Sequence, residues 1–180
     1  MLEARIQQHL FESADLTYQV ADSLAAALVP AVLTLTGSLT AGGKVLVAAP
    51  GEDALARLFC AALLSGFERE RPPLAALVLE QGAAGLAQLR ALGQPGDTLL
   101  ISAPQAATPE VSALIAGAQA HDLQVVLLAG ATGEAESAPL GETDVRITIP
   151  HPRTARVREL HLLALHALCD AIDLHLMGLE

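Results

Sequence analysis

Five short apolar runs recur from residue 44 onwards, and a stretch with helical spacing follows each of them except the fourth, which precedes a Gly, Ala and Glu loop with little pattern. The runs, which we predict to be strands, cover 44–50, 74–80, 98–103, 124–130 and 145–150. Apolar runs of this length bounded by Gly and Pro are typical of strands buried in a parallel sheet. The predicted helices between and after them cover 53–66, 86–92, 109–120 and 153–176, with a further short helix near Ala135. This alternation predicts an α/β fold with a five-stranded, doubly wound parallel sheet and helices on both faces.

The first 41 residues contain helical patterns only. A narrow apolar seam recurs at three- and four-residue steps over 2–28, which predicts a long helix with a face for a partner helix. The seam consists of Ile6, Leu10, Ser13, Thr17, Val20 and Leu24. Pro30 suits the first turn of a second helix over 30–41. We therefore predict one domain over 1–180, with N-terminal helices at 1–41 and the sheet at 42–180. The pattern leaves open whether these helices pack on their own sheet or form an oligomer interface.

Composition and charge limit the partners and the cellular compartment that we expect for the protein. Acidic residues number 20 and basic residues 10, giving a net charge of -10, which disfavours nucleic acid as a direct partner. Cys60 and Cys169 lie far apart within helical patterns and are expected to be core thiols in a reducing compartment. The uncharged segment 23–43 is interrupted by Pro30, so we interpret it as buried helix and expect no membrane partner. No signal peptide is apparent, and we expect a cytoplasmic protein with no metal and no cofactor.

The turn after the first strand is the natural ligand position, because open α/β sheets bind ligands beyond the carboxyl ends of their strands. A phosphate would lie at Gly51, at the start of the next helix. The turn otherwise offers Pro50, which has no N–H, and the carboxylates of Glu52 and Asp53. At ~4 Å a carboxylate and a phosphate repel by about 1 kcal/mol in water and about 4 kcal/mol at an effective dielectric of 20. The position suits a phosphate, but the side chains do not.

Two further sets of residues could carry chemistry. After the third strand, Ser102 and Thr108 could hydrogen-bond a sugar phosphate, although this loop could equally serve only to cap the next helix. On the final helix, His166 shares a face with Glu159, so it could act as a general base or bind a metal. The alternative for His166 is a single local hydrogen bond. The sequence contains no P-loop, nucleophile elbow or dinucleotide fingerprint.

Four segments carry a family pattern: GGKVL, FERERPPLAALVL, RALGQPGDTLLIS and ETDVRITIPHPRTARVRELHLLALHALCDAID. Through them nearly the whole chain resembles the sugar isomerase (SIS) domain family, and within it the phosphoheptose isomerases and the DnaA initiator-associating protein. It implies a flavodoxin-like SIS fold in a homotetramer, with the N-terminal helices at the subunit contacts. It also implies binding of a carbohydrate derivative.

The departures from the family pattern fall on its functional positions. Leu58 and Ala62 stand where the resemblance places a metal- or substrate-binding His and a catalytic Glu, and Arg158 stands where it places a Gln. The catalytic His is kept as His166, whereas both phosphate loops are altered and the segment after the second strand is reduced to 81–85. These losses indicate a degenerate site without isomerase chemistry.

We therefore expect a pseudoenzyme, a non-catalytic oligomeric scaffold or regulator similar to the DnaA initiator-associating protein, with a replication initiator as a conceivable partner. The alternatives are a sedoheptulose 7-phosphate isomerase that uses His166 with Glu159, and a sensor of a phosphosugar derivative. Leu176 and Met177 persist as apolar residues at the end of the final helix and are the predicted partner surface. They could instead pack on a neighbouring subunit or on the sheet.

Overall fold

A computed structural model describes residues 1–131 and 140–179. Its strands are β1 (Val45–Ala48), β2 (Ala76–Val78), β3 (Thr98–Ala103), β4 (Gln124–Gly130) and β5 (Val145–Ile149). Its helices are α1 (Leu2–Thr40), α2 (Asp53–Ser65), α3 (Gly82–Leu92), α4 (Pro109–Gln119) and α5 (Thr154–Met177). The short helix predicted near Ala135 lies outside the described residues.

The five strands form one parallel sheet in the order β2-β1-β3-β4-β5, which confirms the predicted doubly wound α/β fold. From β1 the chain first moves outward to β2 and then returns past β1 to β3. The strand order therefore reverses between β1 and β3, and the loops after these two strands diverge to opposite faces. A crevice between the two loops is the expected consequence.

Each face of the sheet carries its own apolar core. Val45 and Val47 of β1 point to the face covered by α1, α2 and α5, where Phe59 and Leu165 are fully buried. The alternate residues of β1 point to the other face, which α3 and α4 cover. Burial on both faces explains why the strands appear in the sequence as continuous apolar runs.

The N-terminal segment is one helix of 39 residues, not the two that Pro30 predicted. Pro30 lies inside α1, where a missing N–H and the ring's clash with the preceding turn cost about 3 kcal/mol or more. Leu28, Ala31 and Leu35 on either side of it are buried against the sheet and α5. Burying a large aliphatic side chain contributes roughly 1.5–3 kcal/mol. Packing of the flanking residues therefore offsets the proline and keeps the helix continuous.

The apolar seam of α1 is divided between the chain's own core and solvent. Val20 and Leu24 are buried within the chain itself, so they are not free for a partner helix. Ile6 and Leu10, nearer the N-terminus, are exposed. Burial of the seam begins only near Leu16. Its N-terminal part is therefore exposed, and the rest packs in the core.

Helices α1 and α5 are both long and apolar enough to cross a membrane by length and composition alone. Of their most apolar windows, 39% and 44% respectively is buried inside the domain. Both helices pack on the same face of the sheet. This packing is what a core helix of a water-soluble α/β domain shows.

Candidate functional site

A pocket of about 470 Å³ opens beyond the carboxyl ends of β1 and β3, in the crevice that the strand order creates. It is lined by Pro50, Gly51, Glu52, Ala103, Pro104, Gln105, Thr108, Glu110, Thr154 and Arg158. Of the three residues predicted to bind substrate, Gly51 and Thr108 line this pocket and Ser102 does not. The lining thus combines two carboxylates with one guanidinium.

The first-strand turn is held by a side chain from the loop after β2. Gly51 adopts a positive φ of 76°, which favours glycine, and its N–H donates to Gln81 Oε1 at 2.9 Å. Gln81 Nε2 donates in turn to the carbonyl oxygen of Ala49 at 3.1 Å and contacts Asp53. The amide that would bind a phosphate at this turn is therefore already bonded within the protein.

Glu52 and Arg158 form an ion pair across the pocket. Glu52 precedes the first turn of α2, whereas Arg158 lies on α5. The side chain of Glu52 is 11% exposed and that of Arg158 is 54% exposed. Sequence reasoning noted both residues but missed the pair, because 106 positions separate them. The packing of α5 beside α2 on one face of the sheet brings them together.

Thr108 and Glu110 at the start of α4 both make structural hydrogen bonds. The Val111 N–H donates to Thr108 Oγ1 at 3.2 Å, so the loop does cap the helix, as the simpler interpretation predicted. Glu110 Oε1 accepts a hydrogen bond from the Gly82 N–H at 2.7 Å. The Thr108 hydroxyl keeps its own proton available for a ligand. Sequence reasoning missed Glu110 as a pocket residue, although its place just after a ligand loop was a usable signal.

Ser102 faces the opposite direction, towards α5. Its Oγ lies 3.0 Å from His161 Nδ1, and both side chains are fully buried. Burial lowers the pKa of His161 to about 4. His161 is therefore neutral at pH 7 and joins α5 to β3 below the pocket. Ser102 is a structural residue and not the predicted substrate ligand.

The structure does not bring His166 and Glu159 to the pocket or to one another. His166 lies against Phe67, with ring centroids 5.2 Å apart. Glu159 accepts a hydrogen bond from Ser13 Oγ at 2.7 Å, and this bond joins α5 to α1. It accepts a second from Arg156, which lies on α5 itself. Seven residues along a helix separate the two side chains by roughly 10 Å. Burial favours the neutral form of Glu159, but the hydrogen bonds from Ser13 and Arg156 outweigh it and lower its pKa.

Two further carboxylates near His166 on α5 also have partners. Asp170 pairs with Arg69 at 2.6 Å. Asp173, fully buried, pairs with Arg71 at 2.5 Å. Arg71 also donates to the carbonyl oxygen of Leu63 in the last turn of α2. These ion pairs attach the 66–73 loop to α5, so this face of α5 is structural.

The described residues do not fit a metal. Leu58 and Ala62, at the positions where the resemblance places a His and a Glu, provide no ligand atom. Within 1–131 and 140–179, no group of three or more His, Cys, Asp and Glu side chains could hold a metal ion. Cys60 and Cys169 are buried free thiols, and burial raises the pKa of each to about 12. They are unreactive core residues.

The predicted partner surface at the end of α5 is only partly available. Leu176 packs against the core cluster, whereas Met177 is 45% exposed. Gly178 ends the helix in the left-handed conformation, and the Leu179 N–H returns to the carbonyl oxygen of Leu174. Leu176 thus follows the alternative of packing within the domain. A protein partner at Met177 stays a prediction.

The chain is similar to curated proteins and solved structures over almost its whole length. A phosphoheptose isomerase of Methylibium petroleiphilum is 42% identical, covering 99% of the chain and 96% of the relative. One of Aromatoleum aromaticum is 39% identical, covering 98% and 96%. No family model matches. The chain belongs to the phosphoheptose isomerase family. The structure of phosphoheptose isomerase GmhA from Neisseria gonorrhoeae superposes with a TM-score of 0.84 at 31% identity, covering 96% of this chain and 99% of that one.

Family membership corrects the functional expectation drawn from the sequence. We expected a non-catalytic scaffold because both phosphate loops and the acid position had changed. The relatives that match this family member at full length are phosphoheptose isomerases, which supports an enzyme and contradicts the scaffold. That expectation treated each altered position separately, without the residues that surround it in the fold. The departures therefore show only that Leu58 and Ala62 cannot supply the family's groups at those positions.

The burial of His161 predicts a pH-dependent stability. Unfolded His161 has an ordinary pKa of 6.5, whereas the folded residue titrates at about 4. As pH falls from 6.5 to 4, the unfolded chain takes up a proton that the folded chain does not. The free energy of unfolding should then decrease by up to about 1.4 kcal/mol per pH unit. Urea unfolding between pH 7 and 4 measures this slope.

The variant His161→Leu should show a shallower slope over the same range, whatever its stability at pH 7. His121→Leu, a half-buried histidine on the loop after α4, is the matched control and should keep the slope of the original chain. Equal slopes for the original chain and His161→Leu would show that His161 is not the titrating group.

Proposed function

We propose that this protein is a phosphosugar isomerase that acts on sedoheptulose 7-phosphate, bound in the pocket between β1 and β3. The observation that carries the proposal is the full-length identity of 42% with a phosphoheptose isomerase. The pocket, at about 470 Å³, lies within the usual range of roughly 300–1,000 Å³ for small-molecule sites. It also occupies the position where open parallel sheets bind their ligands.

Arg158 is the proposed anchor for the phosphate group. It is the one Lys or Arg side chain among the residues lining the pocket, and more than half of it is exposed. A guanidinium binds phosphate oxygens through a fixed fork of N–H donors. The hydroxyls of Thr108 and Thr154 and the amide of Gln105 are the proposed partners of the sugar hydroxyls, since these side chains line the same pocket.

The carboxylates of Glu52 and Glu110 are the proposed proton carriers. Interconversion of a ketose and an aldose removes a proton from the carbon next to the carbonyl and protonates the carbonyl oxygen to give an enediol. The proton is then returned to the former carbonyl carbon, while the neighbouring hydroxyl loses its proton. The reaction needs a base close to that carbon, and Leu58 and Ala62 cannot serve. Glu52 and Glu110 are the carboxylates that line the pocket.

The test is isomerisation of sedoheptulose 7-phosphate by the purified protein, followed by product chromatography. We expect turnover that falls at least tenfold in kcat/KM in Arg158→Gln, since the substrate loses its charged anchor. Replacing the carboxylate that moves the proton should lower kcat roughly 10²- to 10⁴-fold, so one of Glu52→Gln and Glu110→Gln should show this loss. The control Arg90→Gln removes an exposed arginine on α3 and should leave activity unchanged. Absence of turnover in the original chain would contradict the proposal.

We also propose that the chain acts in the cytoplasm as a homotetramer. An apolar groove of about 450 Å³ lies between α1 and α5, and Val29 and Leu33 beside it are 58% and 53% exposed. Ile6 and Leu10 extend the exposed apolar surface along α1. An exposed apolar surface of this kind marks an association site, and a second copy of the chain presents the same helices.

Light scattering of the purified protein should give a mass of about four chains of 18.6 kDa. The double variant Val29→Glu/Leu33→Glu should dissociate it, because each buried, unpaired carboxylate costs several kcal/mol. Leu92→Glu is the control, since Leu92 is 43% exposed on α3, away from the groove. A monomeric original chain, or an unchanged mass in the double variant, would contradict this surface.

A further inference from the structure

We propose that the carboxylate of Glu52 occupies the anion-binding position of Arg158, so that a sugar phosphate binds only in exchange for Glu52. The identity of the ligand rests on the proposed function. The exchange itself rests on the ion pair across the pocket and on the bonding of the neighbouring amides.

Glu52 is held in place by the turn that carries it. Its N–H donates to the carbonyl oxygen of Ala49 at 2.8 Å, and its side chain makes no cap to α2. The carboxylate turns to Arg158 and is largely shielded from solvent. Among the described residues, Glu52 is the one acceptor found for the Arg158 guanidinium. The Glu52 carboxylate therefore occupies the position on the Arg158 guanidinium that a ligand anion would take.

Two neighbouring backbone N–H groups are already used. The Gly51 N–H donates to Gln81, and the Gly82 N–H donates to Glu110. Pro50 has no N–H to offer. A phosphate entering the pocket consequently finds its main donor in Arg158, and that donor faces Glu52.

A phosphate cannot join the pair without displacing Glu52, because like charges at contact distance repel strongly in a partly buried site. Displacement is feasible, since more than half of the Arg158 side chain is exposed and its unused N–H donors can reach an entering phosphate. A dianionic phosphate with three acceptor oxygens competes well against one carboxylate, whereas an unphosphorylated sugar offers no anion. Glu52 is thus a specificity-determining residue that favours phosphorylated over free sugars.

The experiment is calorimetric titration of inorganic phosphate into the original chain and its variants at constant ionic strength. Glu52→Gln and Glu52→Ala should bind phosphate at least tenfold more tightly, because the internal competitor is gone. Arg158→Gln should lose phosphate binding, and the double variant Glu52→Gln/Arg158→Gln should resemble it. The control Glu70→Gln removes an exposed carboxylate on the loop after α2 and should bind as the original chain does.

Unchanged or weaker phosphate binding in both folded Glu52 variants would overturn the exchange. Circular dichroism establishes that each variant is folded, and the alanine variant excludes a substitute hydrogen bond from Gln. Phosphate binding needs no turnover, so the two proposals fail separately. Tighter phosphate binding without isomerisation by the original chain would keep the exchange and reject the isomerase. Isomerisation by the original chain with unchanged phosphate binding in the Glu52 variants would do the reverse.

Discussion

The parallel pairing of β1 with β3 fixes the relative positions of the two loops that form the pocket. Val47 pairs with Leu100 and Ala48 with Ile101, and all four side chains are buried. This register brings the ends of the two strands to one edge of the sheet. The turn at Gly51 and the loop leading to Thr108 then leave that edge towards opposite faces. Loss of this pairing would separate the two halves of the pocket.

The sequence predicted the features that depend on local pattern and on the fold class. Strands β3 and β4 begin and end at their predicted residues, because apolar runs with Gly or Pro at their boundaries have few other interpretations. The location of the pocket followed from the fold class alone. Gly51 and Thr108 line it, and their binding of a substrate stays a prediction. These inferences needed only local pattern and the general behaviour of parallel sheets.

What failed depended on tertiary contacts. Pro30 ends a helix by propensity, but burial of its neighbours on the sheet keeps α1 continuous. The pattern left open whether Val20 faces a partner helix or the chain's own core, and the structure buries it in the core. Ser102 lies beside the pocket in sequence, yet its side chain contacts His161 on the other face. In each case the sequence indicated the chemistry of the residue but not which residues lie beside it in the fold.

The functional expectation failed for a related reason. A carboxylate in a phosphate-binding turn is repulsive when considered alone, and Glu52 was interpreted in that way. The structure shows it paired with Arg158, a cation that the family pattern does not place there. The pair changes the electrostatic argument. In the exchange that we propose, the Glu52 carboxylate leaves Arg158 and a phosphate takes its place. Membership of the phosphoheptose isomerase family is compatible with this arrangement.

The most direct test is a crystal structure of the protein with sedoheptulose 7-phosphate. We predict the sugar in the pocket between β1 and β3, its phosphate within hydrogen-bonding distance of the Arg158 guanidinium, and the Glu52 carboxylate moved away from it. A sugar phosphate bound elsewhere would contradict the proposed site, and one bound in this pocket with the Glu52–Arg158 pair intact would contradict the proposed exchange.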